Sequence, residues 1–338
     1  MALKHATIFI ISTVLLTATG VLSPQFIHAQ EGLLPTTNTE LFSIRLSSNS
    51  PKPNTAVTAQ ILTYRFDEDR AYILWQIDDK LVAQGPGVTT ITLQSPDMGK
   101  TKKITAHVTT LEGDQSSQSF NLTVHDVDFL WDALTYVPPG YRGKALPTPQ
   151  SNARISAIPH LFKDGKKLSP ETLIYEWSFD ARKDARASGV NKDSFIVQLP
   201  DSDNHTIAVK LSDRANEITF EKSIILTAKN ASPEIIFYED NPLEGPIYAK
   251  ALLNSLKLAQ GAINLRAEPF YFSKENISAL TYEWEMNNES VLAEEKPNVL
   301  NLRAPENATG ETIINLTIRN LSRLLQSVNA TLRIMFGQ

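Results

Sequence analysis

Ala71-Tyr-Ile-Leu-Trp-Gln-Ile-Asp78, Leu173-Ile-Tyr-Glu-Trp-Ser-Phe-Asp180 and Leu280-Thr-Tyr-Glu-Trp-Glu-Met-Asn287 are three versions of one eight-residue pattern. Apolar residues occupy every second position and the partners between them are mostly polar, as in a strand with one buried face. The tryptophans, Trp75, Trp177 and Trp284, are 102 and 107 residues apart. A second landmark follows each by 21 to 23 residues, a strand closed by proline: Ile91 to Pro96, Phe195 to Pro200 and Leu300 to Pro305. Proline has no N–H to give to a sheet ladder, so it ends the strand. Further strands are expected before each tryptophan, at Val57–Leu62, Arg154–Ile158 and Ile263–Ala267. More follow each proline, at Ile104–Val108, Ile207–Leu211 and Ile313–Ile318.

Roughly seven short strands per hundred residues is the pattern of a β-sandwich. The expected fold is all-β, with three tandem sandwich domains at 41–125, 126–230 and 231–338, and Trp75, Trp177 and Trp284 as their buried centres. The short linkers predict a semi-rigid string of domains. Two segments stand outside the repeat. Tyr136 to Pro149 is rich in proline and glycine, and Glu244 to Gln260 carries Tyr248, Leu252, Leu253, Leu256 and Ala259 at helical spacing. A short helical insertion is therefore expected in the third domain.

The N-terminus reads as an export signal: a basic start to His5, an uncharged apolar run over 6–22, then small residues. Residues 1–29 are assigned to it, with cleavage after Gly20 or Ala29 and an uncleaved anchor as the alternative. Residues 30–40 are expected to be a disordered leader, with no membrane span after cleavage. The whole chain has 338 residues, a formal net charge of -5 and no cysteine. Disulfides, thiolate metal sites and cysteine nucleophiles are thereby excluded, and the acidic balance argues against nucleic acid as a partner.

The Tyr-Glu-Trp strands, the Pro-ended strands and the period near one hundred resemble tandem PKD/immunoglobulin-like modules of prokaryotic surface proteins. Phe129 to Leu146, Pro233 to Leu243 and Ala267 to Ser273 resemble motifs in exported PKD-like proteins of candidate-phyla bacteria (Patescibacteria). This resemblance implies an envelope location, with pilus components as a candidate partner, and supplies no catalytic residues to carry over.

None of the residue patterns of hydrolases, metalloproteases or nucleotide-binding loops is present, so no catalytic residue, cofactor or metal is assigned and a non-enzymatic role is expected. Weak calcium candidates are Asp126 and Asp128 at the first linker and Asp201 and Asp203 after Pro200; each cluster offers two or three of the six to eight oxygens calcium takes. Trp131, Tyr136 and Tyr141 are candidates for a surface facing a protein partner or a glycan, and the alternative is that they pack the Pro-rich run against a neighbouring sheet. The first functional expectation is a structural or adhesive envelope protein acting as a spacer or docking module. The second is a carbohydrate-binding accessory protein.

Overall fold

Backbone pairing gathers the strands into three successive pairs of sheets, in a computed structural model that describes residues 40–48, 50–202, 204–258, 261–304 and 309–337. The export signal and the leader, to residue 39, lie outside the described residues, as do Asp203 and Pro305.

In the first pair, β1 (Ser43–Leu46), β2 (Ala56–Leu62) and β5 (Thr90–Gln94) form a sheet in the order β1-β2-β5. It faces a sheet of β3 (Tyr72–Ile77), β4 (Lys80–Pro86), β6 (Thr101–Thr109) and β7 (Gln115–Thr123), ordered β4-β3-β6-β7. The second pair repeats the plan. β8 (Asp126–Ala133) and β9 (Asn152–His160) are followed by the small hairpin β10 (Phe162–Lys163) and β11 (Lys166–Lys167). Then come β12 (Ile174–Phe179), β13 (Arg182–Lys183), β14 (Gly189–Val190), β15 (Ser194–Gln198), β16 (His205–Ser212) and β17 (Thr219–Leu226). The sheets are β15-β9-β8 and β13-β12-β16-β17, with β14 also on β12.

The third pair consists of β18 (Glu234–Asn241), β19 (Gly245–Leu252), β20 (Ser255–Leu258), β21 (Ala262–Phe270), β22 (Leu280–Met286), β23 (Glu289–Val291), β24 (Val299–Arg303), β25 (Gly310–Asn320) and β26 (Ser327–Phe336). Its sheets run β19-β18-β21-β24 and β20-β26-β25-β22-β23. The fold is thus all-β, a tandem array of β-sandwiches.

Each pair encloses its own apolar cluster, and each cluster contains one of the three tryptophans. Trp75 and Trp177 are 0% exposed and Trp284 is 2% exposed. A buried indole N–H needs an acceptor, and all three find one in the same place. They donate to the carbonyls of Val88 at 2.8 Å, Lys192 at 2.7 Å and Pro297 at 2.9 Å, each just ahead of β5, β15 or β24. The indole therefore ties one sheet to the entry of a strand in the other.

A second equivalence lies at the end of each tryptophan strand. β3–β4, β12–β13 and β22–β23 are hairpins with two-residue turns at Asp78-Asp79, Asp180-Ala181 and Asn287-Asn288. All six residues have positive φ, between 46° and 70°, the type I′ geometry whose twist suits a hairpin. The first turn residue also caps the facing strand: Asp78, Asp180 and Asn287 accept the N–H of Lys103, Thr206 and Ile313, each at 2.9 Å.

The helix expected around 248–259 is not formed. β18 turns back through 242–244 into β19, and β20 then pairs in parallel with β26 on the opposite sheet. An isolated helix this short is marginal in water, whereas two open sheet edges offer this segment full ladders. Among the described residues the helical turns are Pro170–Thr172 and, in the third sandwich, Lys274–Ala279.

The first and second sandwiches meet at Phe162. A Cβ placed on Gly99, whose φ is +73°, would lie 2.6 Å from the Phe162 ring, so the backbone approaches the ring there as only glycine allows. The Phe162 N–H donates to His125 Nδ1 at 3.2 Å, which requires an unprotonated nitrogen. Burial holds the His125 pKa below its ordinary value. A base whose folded pKa is lowered favours the fold fully above its unfolded pKa, near 6.5, and loses that contribution as pH falls from there through the folded pKa. The melting temperature of the wild type should therefore drop as pH falls below about 6.5, and that of His125→Phe should drop less. Equal slopes in differential scanning calorimetry would contradict the assignment.

Candidate functional site

Eighteen residues separate β8 from β9, and this strap leaves its own sandwich to bind the next. Pro138, Pro139, Pro147 and Pro149 cannot donate to a ladder, which keeps the segment out of its parent sheet. Tyr136 N–H donates to the Phe272 carbonyl at 2.7 Å, Tyr271 N–H to the Tyr136 carbonyl at 2.8 Å, and Lys274 N–H to the Leu134 carbonyl at 3.0 Å. The strap thus adds a short antiparallel bridge to the third sandwich, centred on Thr135 and Ser273.

A buried polar network secures its far end. Thr148 Oγ1 donates to the Tyr271 carbonyl at 2.8 Å. Gln326, 0% exposed, donates through Nε2 to the Pro149 carbonyl at 3.2 Å, and its Oε1 accepts from Ser273 N–H and Asn320 Nδ2, both at 2.9 Å. Outside it, Asn152 Nδ2 donates to Glu275 Oε2 at 3.2 Å, and Arg323 pairs with the same carboxylate.

Glu268 anchors the aromatic side of the strap. It is 2% exposed, a costly place for a carboxylate unless every oxygen is engaged. Oε2 accepts from the Tyr136 hydroxyl at 2.7 Å and Oε1 from the Tyr248 hydroxyl at 2.9 Å, with Arg266 Nη1 3.5 Å away. Arg266 is itself held by Asp240 at 2.7 Å. Burial, reinforced by the bond to Glu268, pushes both phenols well above the ordinary tyrosine range, so they remain donors at any physiological pH.

The three aromatic candidates fall in three different settings. Trp131 packs against the core of the second sandwich, and Lys144 Nζ sits 3.2 Å from its ring centroid. Lys144 thus covers one face of the ring. Tyr136 is the clamp on Glu268. Tyr141 is 41% exposed; its ring stands edge-on to Phe270 at 5.3 Å and its hydroxyl lies 3.1 Å from that of Tyr271. A Cβ on Gly143 would lie 2.5 Å from the end of the Tyr141 side chain, so any larger residue there would push that ring aside.

Tyr141 forms one wall of a cleft of ≈ 570 Å³ bounded by Pro138 to Gly143 on the strap and by Tyr238, Tyr248 and Ala249 on β18 and β19. Tyr238 meets Tyr248 edge-on at 5.3 Å. Sequence reading missed Tyr248, Glu268 and Gln326 as junction residues. A glutamate inside the alternating strand Ala262–Phe270, at a position of the buried run that ends it, was the one available signal for Glu268.

Two of the four acidic candidates are held in ion pairs or hydrogen bonds. Asp126 pairs with Lys222 at 2.8 Å and Asp128 with His160 at 3.0 Å. Asp201 is exposed, and Asp203 lies outside the described residues. Among the described residues no three metal-ligating side chains converge.

One further cluster joins Ser202, His205 and Asp180. His205 Nδ1 lies 2.9 Å from Asp180 Oδ2 and Nε2 lies 2.8 Å from Ser202 Oγ, the order of groups found in acyl-transfer sites. Here the ring is buried, stacks on Phe179 at 5.1 Å, and shares Nε2 with the Pro200 carbonyl at 3.3 Å. Burial opposes ionisation of Asp180, but the bonds from His205 and Thr206 N–H outweigh it and hold its pKa below the ordinary value. The cluster closes the β12–β13 turn onto the loop after Pro200.

No family model matches the chain, and no curated protein matches it in sequence. Among solved structures it is similar to the immunoglobulin domains 1–5 of Sidekick-1, at 11% identity over 89% of this chain and 61% of that one, with a TM-score of 0.31. It is also similar to the central fibronectin-III array of RIM-binding protein, at 11% identity, 86% and 95% coverage and a TM-score of 0.28. The fibronectin(III)-like modules of Clostridium thermocellum CbhA match 55% of this chain and 94% of theirs at 11% identity and a TM-score of 0.26. Among the described residues no helix is long and apolar enough to cross a membrane.

Proposed function

We propose that this chain is an exported, non-enzymatic structural or adhesive protein of the cell envelope, a spacer that presents its sandwiches in a fixed order and orientation. The observation that carries this reading is the strap junction. A loop that merely connected β8 to β9 would need only a few residues; this one is long, forms backbone bonds with the next sandwich and buries Thr148 and Gln326 against it. Inter-domain contacts within a chain are by default loose, and a buried side-chain network such as that around Gln326 favours one arrangement over others. Stiffness of this kind is useful to a protein that carries load or holds a binding surface away from its anchor. The resemblance of Phe129 to Leu146 to exported proteins of candidate-phyla bacteria supports the envelope setting, and the segment it covers is the strap itself.

The native chain has no cysteine, so paired labels are easily introduced. Spin labels at Ser194→Cys and Glu285→Cys, exposed positions on β15 and β22, should give one narrow distance distribution by double electron–electron resonance. A broad or multi-peaked distribution would sink the spacer reading. Export is tested separately, by finding the tagged full chain outside the cytoplasmic fraction of its host.

A further inference from the structure

The cleft beside the strap has chemistry that stiffening the junction does not require. Its volume, ≈ 570 Å³, falls within the roughly 300–1,000 Å³ of small-ligand sites. Tyr141, Tyr238 and Tyr248 line it with aromatic surface. Tyr238 is only 7% exposed, yet its hydroxyl has no hydrogen-bond partner among the described residues, unlike those of Tyr136, Tyr141 and Tyr248. Buried though most of the residue is, its oxygen is reached by solvent, so a ligand hydroxyl can take the place of water there. Arg142, exposed on the same wall, has no ion pair or hydrogen bond among the described residues, whereas the neighbouring cation Lys144 is committed to Trp131. The nearby buried carboxylate, Glu268, is already balanced by two phenols and Arg266.

We propose that this cleft is a carbohydrate subsite for a uronic-acid-bearing saccharide, with the tyrosines against the sugar ring, the Tyr238 hydroxyl as a hydrogen-bond partner and Arg142 on the carboxylate. Aromatic faces with a few placed polar groups suit the C–H and O–H surfaces of a pyranose, and the planar guanidinium fork matches a carboxylate. The strap offers little to a peptide main chain. Pro138 and Pro139 have no N–H, and the Tyr141 N–H is already given to the Pro138 carbonyl at 3.2 Å. The subsite is independent of the spacer reading: the junction can be stiff whether or not the cleft is filled.

The experiment is isothermal titration of the full chain with trigalacturonate and trimannuronate, and with fully methyl-esterified trigalacturonate and cellotriose as neutral controls. At least one acidic trisaccharide should bind, and the ester and cellotriose at least tenfold more weakly. Arg142→Ala should weaken the acidic sugar about tenfold, a loss of one bidentate charge-assisted contact, with melting temperature unchanged because the side chain is exposed and unpaired. Tyr141→Ala should weaken acidic and neutral sugars alike. No binding of either acidic sugar at millimolar concentration, equal affinity for acid and ester, or an Arg142→Ala variant that binds as the wild type would each overturn the proposal. Failure here with a narrow spin-label distance leaves the spacer reading standing, and the reverse result separates them equally.

Discussion

Trp177→Ala should cost the second sandwich about 3–5 kcal/mol, the range for truncating a fully buried large aromatic side chain, and so remove much of the stability of a domain held by about 5–15 kcal/mol. Trp177 is enclosed by Phe129 at 6.3 Å and Phe195 at 5.6 Å, one from each outer strand of the facing sheet β15-β9-β8. Its removal leaves a cavity between the two sheets as well as an unpaired Lys192 carbonyl. Trp177→Phe separates these terms: it refills most of the space but still abandons the carbonyl, and should cost roughly 1–3 kcal/mol. Calorimetry of the full chain should show one endotherm moved strongly downward in the alanine variant and less in the phenylalanine variant. An alanine variant within 1 kcal/mol of the wild type would mean that the indole is not the centre of its core.

Gln326→Leu should release the strap. Leucine is close to glutamine in size and the site is fully buried, so packing alone would tolerate it. The loss is in hydrogen bonding: Ser273 N–H, Asn320 Nδ2 and the Pro149 carbonyl lose their shared partner. Each buried polar group left unsatisfied costs about 1–3 kcal/mol, and relaxation of the strap into water would recover part of that. The expected result is therefore a junction that opens, read as rapid tryptic cleavage at Arg142 or Lys144 where the wild type resists. The first sandwich should melt unchanged, because none of its residues takes part in the network. Unaltered cleavage and melting would show that the backbone bridge at Tyr136 and Phe272 suffices to hold the strap.

Much of the fold was legible in the residues, and for one physical reason. A sandwich strand writes its buried face into the chain with period two, so Ile73 and Trp75, Tyr175 and Trp177, and Ile314 and Leu316 stand two positions apart and are 0% exposed in the structure. Proline at 96 and 200 marked strand ends for an equally local reason. Where local pattern and tertiary opportunity disagreed, the pattern failed. Leu252 and Leu256 are spaced as on a helix face, yet they lie on β19 and β20, because the edges of β18 and β26 were available to pair with them.

The candidate site was much less legible. Trp131, Tyr136 and Tyr141 are near neighbours in sequence, and nothing in their spacing tells that the first joins its own core, the second bonds Glu268 and the third borders a cleft. Those outcomes depend on residues more than a hundred positions away, as in the Tyr136–Glu268 and Tyr141–Tyr271 contacts. The paired turn residues Asp78, Asp180 and Asn287 were equally hidden, since their use as caps depends on which strand lies opposite.

The amino-acid sequence by itself therefore determined the building block and its threefold recurrence, because burial on one face of a strand is a nearest-neighbour property. Only the tertiary structure decided that a proline-rich loop would become the fastening between two blocks and leave an aromatic cleft beside it. That decision belongs to pairings between distant segments, where a backbone donor, a buried amide and a carboxylate must all find partners at once.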